Sequence, residues 1–505
     1  MGEATSISYK TTGSTWLSPL SDIVGVPLDQ VNFLACQAFA LTAAFWFRLY
    51  LSPRSVSPVV RHAVATLLGT SFIIFCFGWY SAHVFVQVLV CYGIMSQAGI
   101  HNVHRYSMVM AMGYLTLCQI TRVFVFNYGV LSTDFSGPLM MITQKITMLA
   151  FQLHDGMCKK EEELTPEQRR LAIRSRPSLL EYLSYNLNFL SILVGPCSTY
   201  KDYIDFIEGR HARQQLKKLS GSGPNQNGWD RIPDPSPVRA VIYKLLICAV
   251  CMFWFLTVSK AFPVSYNVDP QFISEAPLLT RLAYTFVSVQ GARPKFYFAW
   301  TLADAIHNAA GYGIRGVDEK GEVSWDLVSN IRIWEIETAT SFKTFIDNWN
   351  MQTGVWLKCV CYDRAPQYHM VLTFVLSALW HGVYPGYYFT FLTGIPITMA
   401  ARTMRRNFRH YFLRSRAVKL GYDVVTWAAT QFTICYTVMP FLVLAVEPTI
   451  QYYKSVYFHV HIISILAVLL LPKKPRHPIQ AQTQTQNQNQ NQDHTQLSNN
   501  NVKGD

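Results

Sequence analysis

Charged side chains are scarce in this sequence of 505 residues. Asp, Glu, Lys and Arg together make up 14% of the chain and hydrophobic residues make up 50%, whereas a soluble domain carries about 25% charged residues. No charged residue occurs from His62 to His104 or from Ala365 to Ala401. Because a membrane-spanning helix needs roughly 20 apolar residues, each of these stretches is long enough for about two passes. No water-soluble fold needs such runs, so the sequence predicts a polytopic membrane protein.

Markers of several other protein classes are also missing. The chain contains no Asn-x-Ser/Thr glycosylation site and no internal repeat, and the second absence argues against an inverted-repeat transporter. The segment from Met1 to Pro27 is polar and mixed, so no cleavable signal peptide is expected. Most of the eleven cysteines lie in apolar segments, and the C-x-x-C of Cys248 and Cys251 has no second pair at zinc-finger spacing. We therefore expect the cysteines to pack between helices, without a metal site or a disulfide framework.

Positive charge predominates among the few charged residues, which gives a formal net charge of +13. In a soluble protein this would suggest a nucleic-acid partner, but here the basic residues cluster between apolar segments. That pattern fits cytoplasmic loops beside anionic lipid, and no nucleic acid is expected. Glu208–Arg239 is predicted to be an exposed basic linker. Arg402–Lys419 is predicted to be one basic helix with interleaved aromatic residues; it is either a solvated loop helix or a membrane-surface helix that gathers the phosphates of an anionic co-substrate.

Apolar segments of spanning or half-spanning length follow one another along most of the chain, and their number predicts nine to eleven transmembrane helices. The segments are Val31–Phe47, Val64–Trp79, Val84–His101, Tyr106–Leu131, Leu139–Gln152, Leu179–Val194, Val241–Ser259, Leu278–Gln290, Phe296–Ala310, Trp349–Cys361, Val371–Pro396, Val424–Val446 and Val456–Leu471. The expected organisation is a polar N-terminal segment (1–27), a membrane-embedded domain (28–472) and a disordered, Gln/Asn-rich cytosolic tail (473–505).

His381 stands out among the fourteen histidines because it lies near the middle of a charge-free run, in VLSALWHGVYPGYYFTF. A polar residue inside an apolar span is a functional candidate, and an imidazole with an unperturbed pKa of about 6.5 suits proton transfer. Gly382 allows close approach of backbone or substrate, and Pro385 can bend or break the helix beside the site. Ser377, one turn earlier, and Trp380 are candidate substrate contacts, and Ser377 is also placed to hydrogen-bond the ring or a neighbouring carbonyl.

Asn350 is the second candidate, a neutral polar residue at the start of an apolar segment in FIDNWNMQTGVWLKCVCY. Its alternative interpretation is a helix N-cap, because Asn is favoured where a helix begins. Asn348, two residues earlier, would serve that purpose equally well. The residues alone leave both interpretations open.

The segments around these two residues resemble a known family. The run SALWHGVYPGYY, together with an Asn that follows a Trp 31 positions before the His, is similar to the active-site motifs of the membrane-bound O-acyltransferases, in their lysophospholipid branch. Similarity extends from about Leu28 to Pro472. The resemblance implies an all-α fold of membrane helices around a buried catalytic chamber, with His381 as the catalytic histidine and Asn350 as its paired asparagine.

The resemblance also implies an activity and a location. It predicts transfer of a long-chain, oleoyl-type acyl group from acyl-CoA to lysophosphatidylethanolamine or lysophosphatidylserine in the endoplasmic reticulum membrane, as in phospholipid remodelling. Acyl-CoA is then a co-substrate, and no bound cofactor or metal is expected because the thioester is already activated. Direct transfer is favoured over an acyl-enzyme, for which Ser377 is the one nearby nucleophile.

Two alternative functions remain open. The first keeps the family and changes the acceptor to a sterol, a diacylglycerol or a protein. The second is a transporter or channel whose membrane histidine relays protons. That second function predicts several carboxylates within the spans, whereas the sequence offers few, of which Asp304 is one.

Overall fold

The computed structural model describes residues 13–124, 135–210, 235–317 and 322–472, and within them the chain is almost entirely α-helical. The helices are, in order, Ser18–Val24 (α1), Leu28–Tyr50 (α2), Pro58–Phe77 (α3), Ser81–Gln97 (α4), Val103–Phe124 (α5), Ser136–Cys158 (α6), Pro166–Leu171 (α7), Leu179–Leu187 (α8), Tyr200–Ile207 (α9), Val238–Ala261 (α10), Pro270–Glu275 (α11), Leu278–Ala292 (α12), Pro294–Ala309 (α13), Ile333–Glu337 (α14), Phe342–Asn348 (α15), Met351–Leu357 (α16), His369–His381 (α17), Pro385–Phe408 (α18), Arg416–Val443 (α19), Val446–Ser455 (α20) and His459–Leu470 (α21). Two short antiparallel strands, Gly316–Val317 (β1) and Val323–Ser324 (β2), form the sheet of the described chain. The predicted all-α class is confirmed.

Length and composition identify only some of the described helices as membrane spans. Among the described residues, three stretches are long and apolar enough to span a bilayer: Leu28–Tyr50, Pro58–Gln97 and Val238–Val268. A fourth is obtained when α20 and α21 are counted together as one interrupted span. The count of nine to eleven therefore stays a prediction.

The chain divides into two compact units. The larger comprises the residues up to Ile395 together with Thr426–Phe458, and the smaller comprises Pro396–Val425 and the residues from His459 onward. All site residues discussed below belong to the larger unit. The predicted tail (473–505), most of the predicted linker (211–234) and the first twelve residues lie outside the described residues.

The predicted apolar segment Leu179–Val194 is wrong as a continuous helix. Its helix, α8, begins at a capping box in which Ser178 and Glu181 exchange hydrogen bonds, and it ends after nine residues. Asn188 stops it: the side-chain Nδ2 donates to the carbonyls of Ser184 and Tyr185, at 3.1 and 2.8 Å. Such bonds satisfy carbonyls at the end of a helix that would otherwise lack partners. The apolar residues that follow are buried in the protein core.

The predicted basic helix Arg402–Lys419 is also wrong as a single element. Helix α18 continues to Phe408, a short 3-10 turn covers Arg409–Phe412, and α19 begins at Arg416. Arginines four positions apart straddle the end of α18, at 405 and 409. Like charges at that spacing lie on one helix face and destabilise it.

Helix α6 lies at the centre of the larger unit. Sixteen of its 23 residues are buried, so it is covered on all sides, as expected for an interior helix. Several of its polar side chains have partners within the protein. Lys145 Nζ, for example, donates to the Tyr185 carbonyl at 2.9 Å and to the Ser191 hydroxyl at 2.5 Å. This buried helix is the support on which the candidate site is built.

Candidate active site

His381 lies at a break between two helices, as the sequence predicted. Helix α17 ends at His381, and α18 begins at Pro385. Gly382 has a φ of 145°, which side-chain-bearing residues rarely adopt. At Gly386, a Cβ atom would lie 2.1 Å from the Pro440 carbonyl oxygen, so only glycine lets the start of α18 approach α19 this closely. The two glycines and the proline therefore end α17 at His381 and allow α18 to begin at Pro385.

The His381 ring is held in one orientation. Its Nδ1 lies 2.7 Å from the Ser377 backbone carbonyl oxygen. A carbonyl only accepts hydrogen bonds, so in the neutral ring the proton sits on Nδ1 and Nε2 carries the lone pair. The side chain is half-buried. Its ring centroid lies 4.6, 4.9, 5.3 and 5.8 Å from those of Trp380, Phe391, Phe441 and Tyr387, respectively.

Trp380 is buried and fixes the backbone immediately before His381. Its indole N–H donates to the Met140 carbonyl at 3.0 Å, and its own carbonyl accepts from Gln119 Nε2 at 3.2 Å. These contacts join α17 to α6 and α5 and indicate a positioning role. For Trp380 and Ser377, substrate contact stays a prediction.

Asn350 lies between α15 and α16 in a left-handed conformation, with φ 50° and ψ 51°. Asn tolerates this region better than most residues because its short polar side chain bonds locally. The residue occupies the N-cap position of α16, but among the described residues its side chain makes no capping bond. Instead, its Oδ1 accepts from Asn330 Nδ2 at 2.9 Å. The capping interpretation therefore does not account for the side chain.

Asn330 was missed by sequence reasoning. It is buried, and its backbone carbonyl accepts from the Met351 N–H at 2.9 Å. Its side-chain Oδ1 accepts from the Gln352 N–H, also at 2.9 Å. Its one signal in the sequence is that it lies in a less apolar stretch before Trp349. That signal is too weak to single out one residue.

One face of α6 holds both motif segments. Three side-chain hydrogen bonds connect them to positions 140, 144 and 147, which are spaced as neighbours on a single helix face. They are Trp380 Nε1 to the Met140 carbonyl at 3.0 Å, Gln144 Nε2 to Thr353 Oγ1 at 2.9 Å, and Trp356 Nε1 to Thr147 Oγ1 at 2.8 Å. The indole rings of Trp356 and Trp380 also meet, with centroids 5.6 Å apart.

These bonds give the register of the two motif segments along α6. Residues 353 and 356 of α16 bond to residues 144 and 147 of α6, respectively. The two helices therefore run in the same direction at this contact.

An ion pair supports the segment that carries Asn330. Lys244 Nζ of α10 donates to Asp304 Oδ2 of α13 at 2.6 Å and to the Trp325 carbonyl at 2.9 Å. The Ser329 hydroxyl donates to the same Asp304 oxygen at 2.5 Å. The carboxylate that sequence analysis noted within the spans is therefore paired and hydrogen-bonded, as a structural group would be.

Replacing Lys244 with methionine should destabilise the protein by about 3–5 kcal/mol, because Asp304 would remain buried without a counter-charge. The thermal unfolding midpoint of the detergent-solubilised protein measures this effect. The double variant Lys244→Met/Asp304→Asn is the control and should recover most of the loss. An unchanged midpoint for Lys244→Met alone would contradict the supporting role of the pair.

These features define a class of protein: a helical membrane protein with an oriented, half-buried imidazole at a helix break and an asparagine whose side chain is held by a second, buried asparagine. The model of the membrane-bound O-acyltransferase family matches residues 120–443. The chain belongs to this family and is an acyltransferase, which confirms the resemblance found in its motifs.

Similar proteins agree with this assignment over nearly the whole chain. Membrane-bound glycerophospholipid O-acyltransferase 1 of Mus musculus is 60% identical over 473 residues, covering 94% of this chain and 96% of the relative. Membrane-bound glycerophospholipid O-acyltransferase 2 of Homo sapiens is 55% identical over 464 residues, covering 92% and 89%. Lysophospholipid acyltransferase 6 of Drosophila melanogaster is 41% identical over 463 residues, covering 91% and 64%.

Proposed function

We propose that this protein transfers a long-chain, oleoyl-type acyl group from acyl-CoA to the free glycerol hydroxyl of lysophosphatidylethanolamine or lysophosphatidylserine. The names of the relatives support a glycerophospholipid or lysophospholipid substrate. The observation that carries the chemistry is the orientation of His381. Its Nδ1 is bound to the Ser377 carbonyl, so Nε2 is the nitrogen with a lone pair for a proton.

His381 acts as the general base. Nε2 takes the proton of the acceptor hydroxyl while the oxygen attacks the thioester carbon, and a tetrahedral oxyanion forms. The C–S bond then breaks, and the CoA thiolate leaves with the proton returned by the imidazolium. Positioned proton transfer of this kind contributes roughly 10²–10⁴-fold to the rate.

Asn350 stabilises the oxyanion. Its Oδ1 already accepts a hydrogen bond from Asn330, so the group it offers to a substrate is the Nδ2 amide. One well-placed donor contributes about 10²–10³-fold in a site shielded from water. Direct transfer is preferred over an acyl-enzyme because the Nδ1 contact of His381 is made with the carbonyl of Ser377, which leaves its hydroxyl unactivated by that nitrogen.

The aromatic rings around His381 line part of the proposed catalytic chamber. An apolar lining excludes water, which would otherwise hydrolyse the thioester. Because the thioester is already activated, the reaction needs neither ATP nor a metal ion. We assign the reaction to the membrane-embedded domain, residues 28–472, and to the endoplasmic reticulum membrane.

A panel of acceptors tests the proposed substrate class. Membranes containing the protein are incubated with labelled oleoyl-CoA and, in separate reactions, with lysophospholipids of different head groups, a sterol and a diacylglycerol. Label should enter phosphatidylethanolamine and phosphatidylserine faster than any other product. Membranes containing the His381→Ala variant give the background, and dominant labelling of sterol ester or triacylglycerol would contradict the proposal.

A further inference from the structure

The orientation of the Asn330 and Asn350 side-chain amides follows from hydrogen bonds in which one partner can only donate. The backbone N–H of Gln352 can only donate, so the Asn330 atom 2.9 Å away is the oxygen, Oδ1. Nδ2 of Asn330 is then the atom that faces Asn350, again at 2.9 Å. An amide nitrogen also only donates, so Asn350 presents Oδ1 to Asn330 and turns its own Nδ2 away from it.

We propose that Asn330 is a positioning residue for acyl transfer, which fixes the Asn350 amide so that its N–H groups rather than its oxygen face the reacting carbonyl. This inference deepens the proposed function and rests on it, since it takes Asn350 as the oxyanion donor. An amide turned by 180° fills almost the same space but presents lone pairs to the developing negative charge. A site that depends on an asparagine therefore needs a partner that selects one of the two orientations.

Asn330 is built into the protein in a way that suits this task. It is 4% exposed, and two main-chain N–H groups at the start of α16, those of Met351 and Gln352, hold its backbone and side-chain oxygens. The preceding residue, Ser329, is tied to Asp304. Asn330 thus cannot reverse its amide without leaving the Gln352 N–H without its acceptor, which is unfavourable.

The variant Asn330→Asp tests the proposal with little change in shape. One carboxylate oxygen still accepts from Gln352, but the other now faces Asn350 as an acceptor and draws the Asn350 Nδ2 toward itself. We expect kcat in membranes to fall on the order of 10²-fold, as for the loss of one oxyanion donor. The KM for lysophospholipid should stay within about twofold, because only transition-state binding is lost.

Asn348→Asp is the matched control. It adds the same charge at a half-buried position two residues before Asn350, but the Asn348 side chain donates to the Thr344 carbonyl and not to Asn350. Its kcat should remain within about threefold of the wild type, because its side chain bonds to Thr344 and does not orient the Asn350 amide. If Asn330→Asp does not accumulate as folded protein, Asn330→Ala replaces it in the same comparison, with an expected loss of at least about tenfold.

A double-mutant cycle with Asn350→Ala separates this inference from the proposed function. If Asn330 acts through Asn350, the Asn330 substitution should cost less than about threefold once Asn350 is alanine, because the two effects are not additive. An inactive Asn350→Ala together with an active Asn330→Asp overturns the positioning role alone, as does a full, additive loss in the double variant. A fully active Asn350→Ala overturns both the donor role of Asn350 and the inference built on it.

Discussion

Replacing His381 with alanine should reduce acyl transfer to the background of the membranes, while the protein still accumulates and remains folded. Removing the imidazole takes away the Nε2 lone pair that accepts the hydroxyl proton, a contribution of roughly 10²–10⁴-fold. The aromatic rings packed around His381 are those of Trp380, Tyr387, Phe391 and Phe441, and none of them is a base. The rate of label transfer from oleoyl-CoA to lysophospholipid measures the effect.

His369→Ala is the matched control for this prediction. His369 is the first residue of the same helix, α17, and it is exposed, with its ring packed against Tyr362 at 4.6 Å. The control variant should retain most of the activity. Acylation by His381→Ala at a rate near that of the wild type would show that another group is the base.

Replacing Asn350 with alanine should lower kcat by about 10²–10³-fold and change KM much less, because an oxyanion donor acts mainly in the transition state.

A second variant, Asn350→Asp, distinguishes the oxyanion donor from a helix cap. Aspartate caps helices about as well as asparagine, and its oxygen can still accept from Asn330. It has no N–H, however, and would set a negative charge against the oxyanion.

Asn350→Asp should therefore be at least as inactive as Asn350→Ala if the residue is an oxyanion donor. If the residue serves only to begin α16, the aspartate variant should behave like the wild type and the alanine variant should mainly lose thermal stability. Kinetics and unfolding midpoints of the two variants, measured on the same membrane preparations and their detergent extracts, decide between these roles.

The sequence predicted those parts of the fold and site that depend on local composition. The break beside His381 follows from the conformational freedom of Gly382 and the fixed φ of Pro385, which are local properties of these residues. The long charge-free runs correspond to helices such as α3 and α4. The family resemblance also rested on short, contiguous motifs.

Contacts between distant segments could not be predicted in this way. Gln144 bonds to Thr353 across 209 positions, and Asn330 meets Asn350 across 20 positions that include α14 and α15. Nothing in the local pattern distinguishes a polar residue with a buried partner from one that faces a loop. The face of α6 that supports both motifs therefore appears only in the structure.

Three segments show how composition alone misleads in a membrane protein. Leu179–Val194 is apolar because it is packed inside the protein, and an interior segment and a lipid-facing helix have similar compositions. Arg402–Lys419 was expected to be one helix, but α18 ends at Phe408 and α19 begins at Arg416. The apolar segment Trp349–Cys361 likewise consists of the short helix α16 followed by a π-helical turn, Lys358–Tyr362.

The central claim is that His381 and Asn350 act on the same thioester. An experimental structure of the full chain in lipid nanodiscs with a non-transferable acyl-CoA analogue tests it most directly. The analogue's carbonyl oxygen should lie within about 3 Å of Asn350 Nδ2, the distance expected of an oxyanion donor, with its carbonyl carbon facing His381 Nε2. A carbonyl bound away from both side chains would contradict the account.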